Sequence, residues 1–243
     1  FANTYEAVSV IAINNPEALA QPGMFEQRDF VEVKALDKKR QPGSMDYYAV
    51  AMMTMILLYS SITGFWSIRR DVEQKTAPRI LCAPVRKHEM LIGNIAGSIF
   101  ITVVQGTVVI LFSKFILKAY WGEDLLTIAL LLLTYSIMAV SLGAGLAFMF
   151  KSSNAASGVL NTIIPIFVFL GGGYVPLGVI NGPMVGILSD ISPVKWANTA
   201  LFGMIYNHDY SRVGTSIAIN LGMAIVFITI SALFAKKEGK LYA

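Results

Sequence analysis

Five long apolar runs dominate the chain from residue 47 onward. A helix needs about 20 predominantly apolar residues to cross the hydrocarbon core of a bilayer. Lipid offers no water to satisfy backbone groups, and the runs are too long and too uniformly apolar for barrel strands, so each run is predicted to be a spanning helix. The pattern therefore predicts an all-α polytopic membrane protein. The predicted spans are residues 47–68, 91–117, 125–150, 159–177 and 214–235.

The first 46 residues differ from the rest of the chain. They are mixed and polar, and the sequence QPG, which predicts turns, occurs at 21–23 and again at 41–43. We expect residues 1–46 to be a small, incomplete extracellular segment, because the chain starts at Phe1 with a stretch typical of a domain interior. Residues 47–243 are predicted to form the transmembrane domain.

Residues 178–213, which precede the last predicted span, are only moderately apolar. Their apolar pieces, at 184–188 and 196–206, are too short to cross a bilayer and favour re-entrant or interfacial helices. Ser192 and Pro193 indicate a helix start, because serine is a preferred N-cap and proline is tolerated at the first helical position. We therefore predict outer re-entrant helices in this region.

Composition agrees with a membrane protein. The chain is 55% hydrophobic and 14% charged, with a mean hydropathy of +0.62. Soluble domains carry about 25% charged residues, so this chain has too little polar surface to cover a globule. The net charge of +4 does not indicate nucleic acid, because the basic residues gather beside apolar spans.

The distribution of basic residues predicts which loops are cytosolic. Residues 69–90 hold six Lys or Arg and three Asp or Glu. With this segment inside, the loops and tail on the same side carry ten Lys or Arg, against four on the opposite side when residues 1–46 are left out. Cytosolic loops carry the excess of positive charge. The sequence therefore predicts a cytosolic segment at 69–90, an outer segment at 178–213 and a cytosolic C-terminus.

The chain carries no motif for soluble catalysis. There is no Walker A pattern, no HExxH and no hydrolase nucleophile elbow, and the two histidines, His88 and His208, are predicted on opposite sides of the membrane. We therefore predict no catalytic residue, no metal site and no cofactor held by this chain. Its one cysteine, Cys82, excludes an intramolecular disulfide framework.

The charged segment at 69–90 has the pattern of a short interfacial helix. Thr76 is suited to cap a helix, and Pro78 is tolerated in its first turn. The helix is predicted to run through Arg79 and Cys82, and Pro84 ends it. A short basic helix between two spans is able to seat in a groove of a cytosolic partner and move with it as a rigid body.

The same segment resembles a family signature. Its residues are similar to the E-x-G-T … R-x-L … P-x-x-R … L-x-G-K pattern of ATP-binding cassette (ABC) type-2 permeases. Lys75 stands where that pattern has glycine, Asn94 stands where it has lysine, and Pro78 is atypical. Further along, Pro193, Trp196 and Ala197 resemble the family's P-x-x-W/H-A element. The signature residues are Glu73, Thr76, Arg79, Leu81, Pro84, Arg86, Leu91 and Gly93.

The resemblance implies a transmembrane subunit of an ABC exporter. Family members usually have six spans with an outer domain between the first two, so five would be present here. Cytosolic ABC ATPase subunits would bind ATP and Mg²⁺, and a second permease subunit, identical or homologous, would complete the path. The location would be a bacterial plasma membrane, with lipid around the spans. The residues implied to couple to the ATPase are Glu73, Thr76, Arg79, Leu81, Pro84 and Arg86.

The cargo is left open by the sequence. No charged residue lies mid-span, which fits a hydrophobic or amphipathic compound such as an antibiotic, a drug or a lipid. Sodium export, known in this broad family, is an alternative. A non-transporting scaffold or sensor subunit is a second alternative. An ion-coupled secondary transporter would normally show ionisable residues near mid-membrane.

Polar residues inside the predicted spans are candidates for the substrate path. Gln105, Tyr135 and Asn220 lie within apolar runs, where polar groups are costly unless they face a partner or a cavity. Hydrogen bonding between helices is the other explanation for these residues. The segment Gly171, Gly172, Gly173, Tyr174 and Pro176 interrupts the fourth run, which predicts either a simple helix end or an outer gate in which a broken helix lines a cavity.

Overall fold

The computed structural model describes residues 42–80, 82–150, 152–176 and 183–237, all within the unit Arg40–Ala243. Every regular element among them is helical, and five of the helices are long and apolar enough to span a membrane. The predicted all-α polytopic fold is therefore confirmed. The elements are α1 (Ser44–Glu73), α2 (Thr76–Ile80), α3 (Lys87–Phe115), α4 (Leu125–Met149), α5 (Ser153–Leu170), α6 (Pro183–Ile191), α7 (Pro193–Asn207) and α8 (Ser211–Lys237).

Helix caps explain where the observed spans differ from the apolar runs. Helix α3 begins at Lys87 rather than at 91, because the Glu89 carboxylate accepts the Arg86 backbone N–H at 2.9 Å. Helix α5 begins at Ser153 rather than at 159, since the Ser152 hydroxyl accepts the Ala155 N–H at 3.4 Å. These first turns are polar, so hydropathy alone did not reveal them.

Helix α4 is the centre of the bundle and packs on α1 and α8 through small residues. A Cβ added to Gly143 would lie 1.7 Å from the carbonyl oxygen of Ser61, and one added to Gly64 would lie 2.4 Å from that of Val140. The two backbones are therefore in direct contact, as small residues permit in membrane bundles. Gly145 faces Phe227 of α8.

Two ends of the bundle matter for function. At one end, called here the α2 end, the short helix α2 joins α1 to α3. At the other, the α7 end, helices α6 and α7 occupy the region predicted to hold re-entrant helices. Helix α7 is buried along Val194, Ala197 and Leu201, each fully covered. It is therefore part of the packed core.

Candidate functional site

Helix α2 starts with Thr76, whose role differs from the predicted one. The Thr76 hydroxyl donates to the carbonyl oxygen and to Oδ1 of Asp71, both at 3.3 Å. It lies within the helix and points back at α1, so it is not the N-cap acceptor that the sequence suggested. Pro78 lies in the first turn, where its missing N–H leaves no unpaired group.

Beyond the end of α2, the chain continues in hydrogen-bonded turns. The helix ends at Ile80, earlier than the predicted end beyond Cys82, and the Cys82 and Ala83 N–H groups then donate to Arg79 and Ile80 at 3.2 and 3.1 Å. Pro84 follows in the exposed stretch that leads to α3. Leu81, also predicted to couple, lies outside the described residues.

Lys75 makes the sharp turn between α1 and α2. Its φ is 53°, in the left-handed region that favours glycine. This is the position where the type-2 permease pattern has glycine, and the geometry explains that preference. Lys75 adopts the same turn, and its Cβ makes this conformation strained.

Two polar clusters hold the base of the α2 segment, which is the charged stretch 69–90 that contains α2. In the first, Ser153 Oγ donates to the Glu73 carboxylate and accepts from Arg69 Nε at 2.9 Å. Arg69 is only 6% exposed, so a buried cation, a hydroxyl and a carboxylate tie the end of α1 to the start of α5. Glu73, which the signature placed in coupling, thus joins the end of α1 to the start of α5, and its coupling role stays a prediction.

The second cluster ties α1 to α3. Asn94 Nδ2 donates to Asp71 Oδ2 at 2.8 Å. Asn94 stands where the family pattern has lysine, and here its amide binds this carboxylate. Together with the Thr76 contact, Asp71 is the point where α1, α2 and α3 meet.

The described residues between Arg79 and Arg86, which form the tip of the α2 segment, are exposed. Arg79 and Arg86 are exposed, as is Pro84 between them. Ile80 is 38% exposed and Val85 is 37% exposed. The tip therefore combines two cations with two partly open aliphatic side chains, on a base fixed to three helices. This combination suits docking to another protein.

At the α7 end, the three consecutive glycines are required for two reasons: close packing at Gly171 and Gly173, and a positive φ at Gly172. A Cβ on Gly171 would lie 2.4 Å from Val194 Cβ, and one on Gly173 would lie 2.4 Å from Val168 Cγ1. Gly172 has a φ of 75°, which other residues rarely adopt. The run therefore ends α5 and allows α7 to approach it closely.

Side chains from two other helices hold the glycine segment. Asn198 of α7 donates to the Gly171 carbonyl oxygen at 3.2 Å, and the Tyr47 hydroxyl of α1 donates to that of Gly172. The Tyr47 ring also stacks on Phe202, with centroids 5.0 Å apart and planes 11° apart. The carbonyls released at the end of α5 are thus paired by neighbouring helices.

A cavity of about 460 Å³ opens beside this segment. Gly171, Gly172 and Pro176, all predicted for the gate, line it, while Gly173 is buried against Val168 and Tyr174 is half-buried. The end of α5 therefore borders a cavity. Both a simple helix end and an outer gate agree with this arrangement, so the gate stays a prediction. The other side chains that line it come from α1, from α7, from the connection after α7 and from α8: Tyr47, Asn198, Thr199, Phe202, Asn207, Asp209 and Arg212.

The three predicted path residues do not share one surface. Gln105 is exposed on α3, whereas Tyr135 and Asn220 are fully buried. The Tyr135 hydroxyl and both polar atoms of the Asn220 amide have no hydrogen-bond partner among the described residues. Their role in a path remains a prediction.

The structure also shows a polar stripe on α5 that the sequence reading missed. Asn154, Asn161 and Thr162 are exposed, and Ser157 is half-exposed, in the half of the helix nearer its start. Their spacing of three or four residues places Asn154, Ser157 and Asn161 on one face. Polar groups at lipid-facing positions are unfavourable, so this face favours a partner or a water-filled space. Its signal was that spacing within residues 153–162.

Comparison with known proteins agrees with this geometry. A family model described as ABC-2 family transporter protein matches residues 3–233, nearly the whole chain. No curated protein matches the chain. Members of this family are transmembrane subunits that work with an ABC ATPase subunit and are generally not catalytic themselves. The chain is a multi-pass membrane protein and belongs to the ABC-2 family of transporter proteins.

Proposed function

We propose that this chain is the permease subunit of an ATP-driven exporter that moves a hydrophobic or amphipathic compound out of the cell. The observation that carries the proposal is the α2 segment, which is fixed at its base to α1, α3 and α5 and exposed at its tip. A lever of this form transmits a rigid-body movement of a docked partner into the bundle.

The charge distribution supports a cytosolic position for the α2 end. The segment 69–90, the loop at Lys151 and the tail carry ten Lys or Arg, and the opposite side carries four when residues 1–46 are left out. This asymmetry follows the positive-inside rule. The ATPase subunits, with ATP and Mg²⁺, would then lie beneath Arg79 and Arg86, and the α7 end would face outward.

The polar stripe of α5 supports a path between two permease subunits. Asn154, Ser157 and Asn161 would face the matching helix of a second copy or a homologue across a hydrated space. The stripe begins beside Ser153, whose hydroxyl binds Arg69 and the coupling residue Glu73. Movement of α2 would therefore reach the first residue of the path-lining helix.

The cavity at the α7 end is the proposed outer gate. Opening it requires the glycine segment to move away from α1 and α7, which breaks the contacts of Gly171 with Asn198 and of Gly172 with Tyr47. Each is a single hydrogen bond of modest net strength, which binding energy from ATP is able to overcome.

The cargo follows from what the spans lack. Among the described residues, the charged side chains of the spanning helices lie near their ends, and α4 and α5 contain none. Such a bundle offers hydroxyls, amides and aromatic rings to a passing molecule. An amphipathic antibiotic, drug or lipid fits these surfaces better than a bare ion, which requires fixed charges or closely spaced carbonyls.

The test has two steps. Purification of the chain from its own membranes in mild detergent should bring an ATPase subunit with a Walker A motif. Inside-out vesicles containing both subunits should then accumulate a fluorescent amphipathic dye when ATP is added, even after ion gradients are dissipated. A chain that purifies without an ATPase would be a scaffold or sensor, and uptake that stops with the gradients would mean a secondary transporter.

A further inference from the structure

A second open site lies at the α2 end, in a groove between α1 and α3. Its volume is about 450 Å³, and it is distinct from the exposed tip of the α2 segment. Trp66, Arg70 and Asp71 line it from α1, and Gly93, Asn94 and Gly97 line it from α3. The groove is open to the outside of the bundle where the spans reach their charged ends.

The groove carries one positive and one negative side chain that do not neutralise each other. Arg70 is exposed, and its guanidinium has no hydrogen-bond or ion-pair partner in the described part of the chain. Asp71 accepts only neutral donors there, from Asn94 and Thr76. Residues adjacent in a helix do not face each other, so Arg70 and Asp71 line the groove side by side without pairing.

Polarity changes along the groove in the direction of the membrane. Ile62 and Ile101 line the end of the groove nearer the middle of the spans, and Arg70 and Asp71 line the end nearer α2. Eight residues of helix separate Ile62 from Arg70, which is about 12 Å at 1.5 Å per residue. This length and polarity correspond to the head group and glycerol region of a phospholipid with the start of its acyl chain.

The glycines keep the groove open. A Cβ added to Gly93 or Gly97 would meet nothing within 4 Å, so both positions border empty space. Neither glycine is therefore needed for close packing between helices of this chain. A larger side chain at Gly97 would enter the groove without displacing the backbone.

We propose that this groove binds a phospholipid whose head group carries both a phosphate and an ammonium group, of the phosphatidylethanolamine type. The Arg70 guanidinium binds the phosphate, the Asp71 carboxylate receives the ammonium, and the acyl chain follows Ile62 and Ile101. An anionic head group without the amine suits the site less well, because Asp71 would repel it. The site rests on membership of a membrane family and is independent of the direction of transport and of the cargo.

Competition between two lipids tests the assignment. The full chain, purified with its ATPase in detergent and stripped of lipid, is given equal amounts of phosphatidylethanolamine and phosphatidylglycerol, and native mass spectrometry counts the lipids retained. We expect preferential retention of phosphatidylethanolamine. Arg70→Gln should lower its retention roughly tenfold, as expected when a charged hydrogen bond is lost. Asp71→Asn should shift the preference towards phosphatidylglycerol.

A matched pair of glycine variants supplies the control. Gly97→Leu fills the groove and should abolish the preference. Gly222→Leu adds the same side chain at an equally open glycine of α8, outside the groove, and should leave the preference unchanged. The proposal is overturned if the unmodified protein prefers phosphatidylglycerol or retains neither lipid. It is also overturned if both leucine variants keep the unmodified protein's preference for phosphatidylethanolamine, or if a polypeptide is found in the groove instead.

Discussion

Thr54 Oγ1 donates a 2.8 Å hydrogen bond to Asn198 Oδ1, across 144 residues of sequence and inside the apolar bundle. The other half of the amide donates to the Gly171 carbonyl oxygen at 3.2 Å. One buried side chain thus joins α1, α7 and the glycine segment that ends α5. The state of the proposed gate is therefore linked to the same helix, α1, whose far end carries the α2 segment.

Replacing Asn198 tests this link. Asn198→Leu keeps the approximate volume and leaves Thr54 and the Gly171 carbonyl without this partner, so we expect a loss of about 2 kcal/mol in stability, since a buried group left unpaired costs about 1–3 kcal/mol. Thermal unfolding in detergent measures the loss. Net dye uptake by vesicles should fall as well, because a gate that has lost one of its two closing hydrogen bonds lets accumulated dye leak back.

Variants at Thr54 grade the same effect. Thr54→Ser keeps the hydroxyl and should behave nearly as the original protein. Thr54→Val removes the donor but leaves the bond from Asn198 to Gly171, so its loss of stability should be intermediate. Equal unfolding temperatures for Thr54→Val and Asn198→Leu would contradict the shared role of the amide.

Lys75 offers a prediction of opposite sign. Lys75→Gly should raise the free energy of unfolding by up to about 1 kcal/mol, because a non-glycine residue in the left-handed region costs about that much. Lys75→Val should lower it, since a β-branched residue tolerates a φ of 53° least. Unfolding temperatures of the two variants decide the matter, and a stabilised valine variant would show that this turn is not as described.

Arg79 tests the docking role of the tip. Arg79→Glu should abolish the stimulation of the partner's ATPase activity by cargo while membrane insertion stays intact, because like charges placed together at an interface cost several kcal/mol. Lys114→Glu makes the same charge change at an exposed lysine near the end of α3, far along the chain from α2. Stimulation should survive it. Equal behaviour of the two variants would remove Arg79 from the interface.

The start of α4 gives a pH prediction. The Asp124 carboxylate accepts the Thr127 hydroxyl at 2.6 Å and the Thr127 N–H at 3.1 Å, and these bonds lower the pKa of Asp124 below its ordinary value of 3.8. A lowered pKa in the folded state means that the ionised form stabilises the fold above 3.8. That contribution is lost as the pH falls from there through the lower folded value.

Comparison with Asp124→Ala measures this contribution. The variant should unfold at a lower temperature at neutral pH, and the difference should shrink as acid protonates the carboxylate. Thr127→Val removes the hydroxyl donor, so the pH at which the contribution disappears should move upward. A difference between Asp124→Ala and the original protein that stays constant down to low pH would contradict the cap.

The spanning helices were predictable because a bilayer imposes one requirement, a continuous apolar run, that each segment meets alone. The first turns of α3 and α5 were not, because Lys87 and Ser153 start helices through local caps that hydropathy does not register. The short helix α2 was expected from Thr76 and Pro78. The helix ends at Ile80, whereas the prediction carried it beyond Cys82, because no residue before Pro84 indicates a helix end.

The two polar clusters at the base of the α2 segment could not be predicted from the sequence. Asp71 and Asn94 lie on different helices, and so do Arg69 and Ser153, and nothing local to either residue indicates its partner. The fully buried position of Tyr135 and Asn220 depends equally on how α4 and α8 pack. The glycine segment was recognisable from its composition, but only Val194, Val168 and a positive φ explain why all three positions need glycine.

Photo-crosslinking from Cys82 tests the central claim most directly. The chain's one cysteine is exposed and follows α2, within three residues of Arg79. A thiol-reactive, photoactivatable reagent attached there, in membranes that contain the whole transporter, should capture a nucleotide-binding subunit with a Walker A motif, and Arg79→Glu should lower the yield. Capture of lipid or of extracellular protein, with no ATPase among the products, would contradict the account.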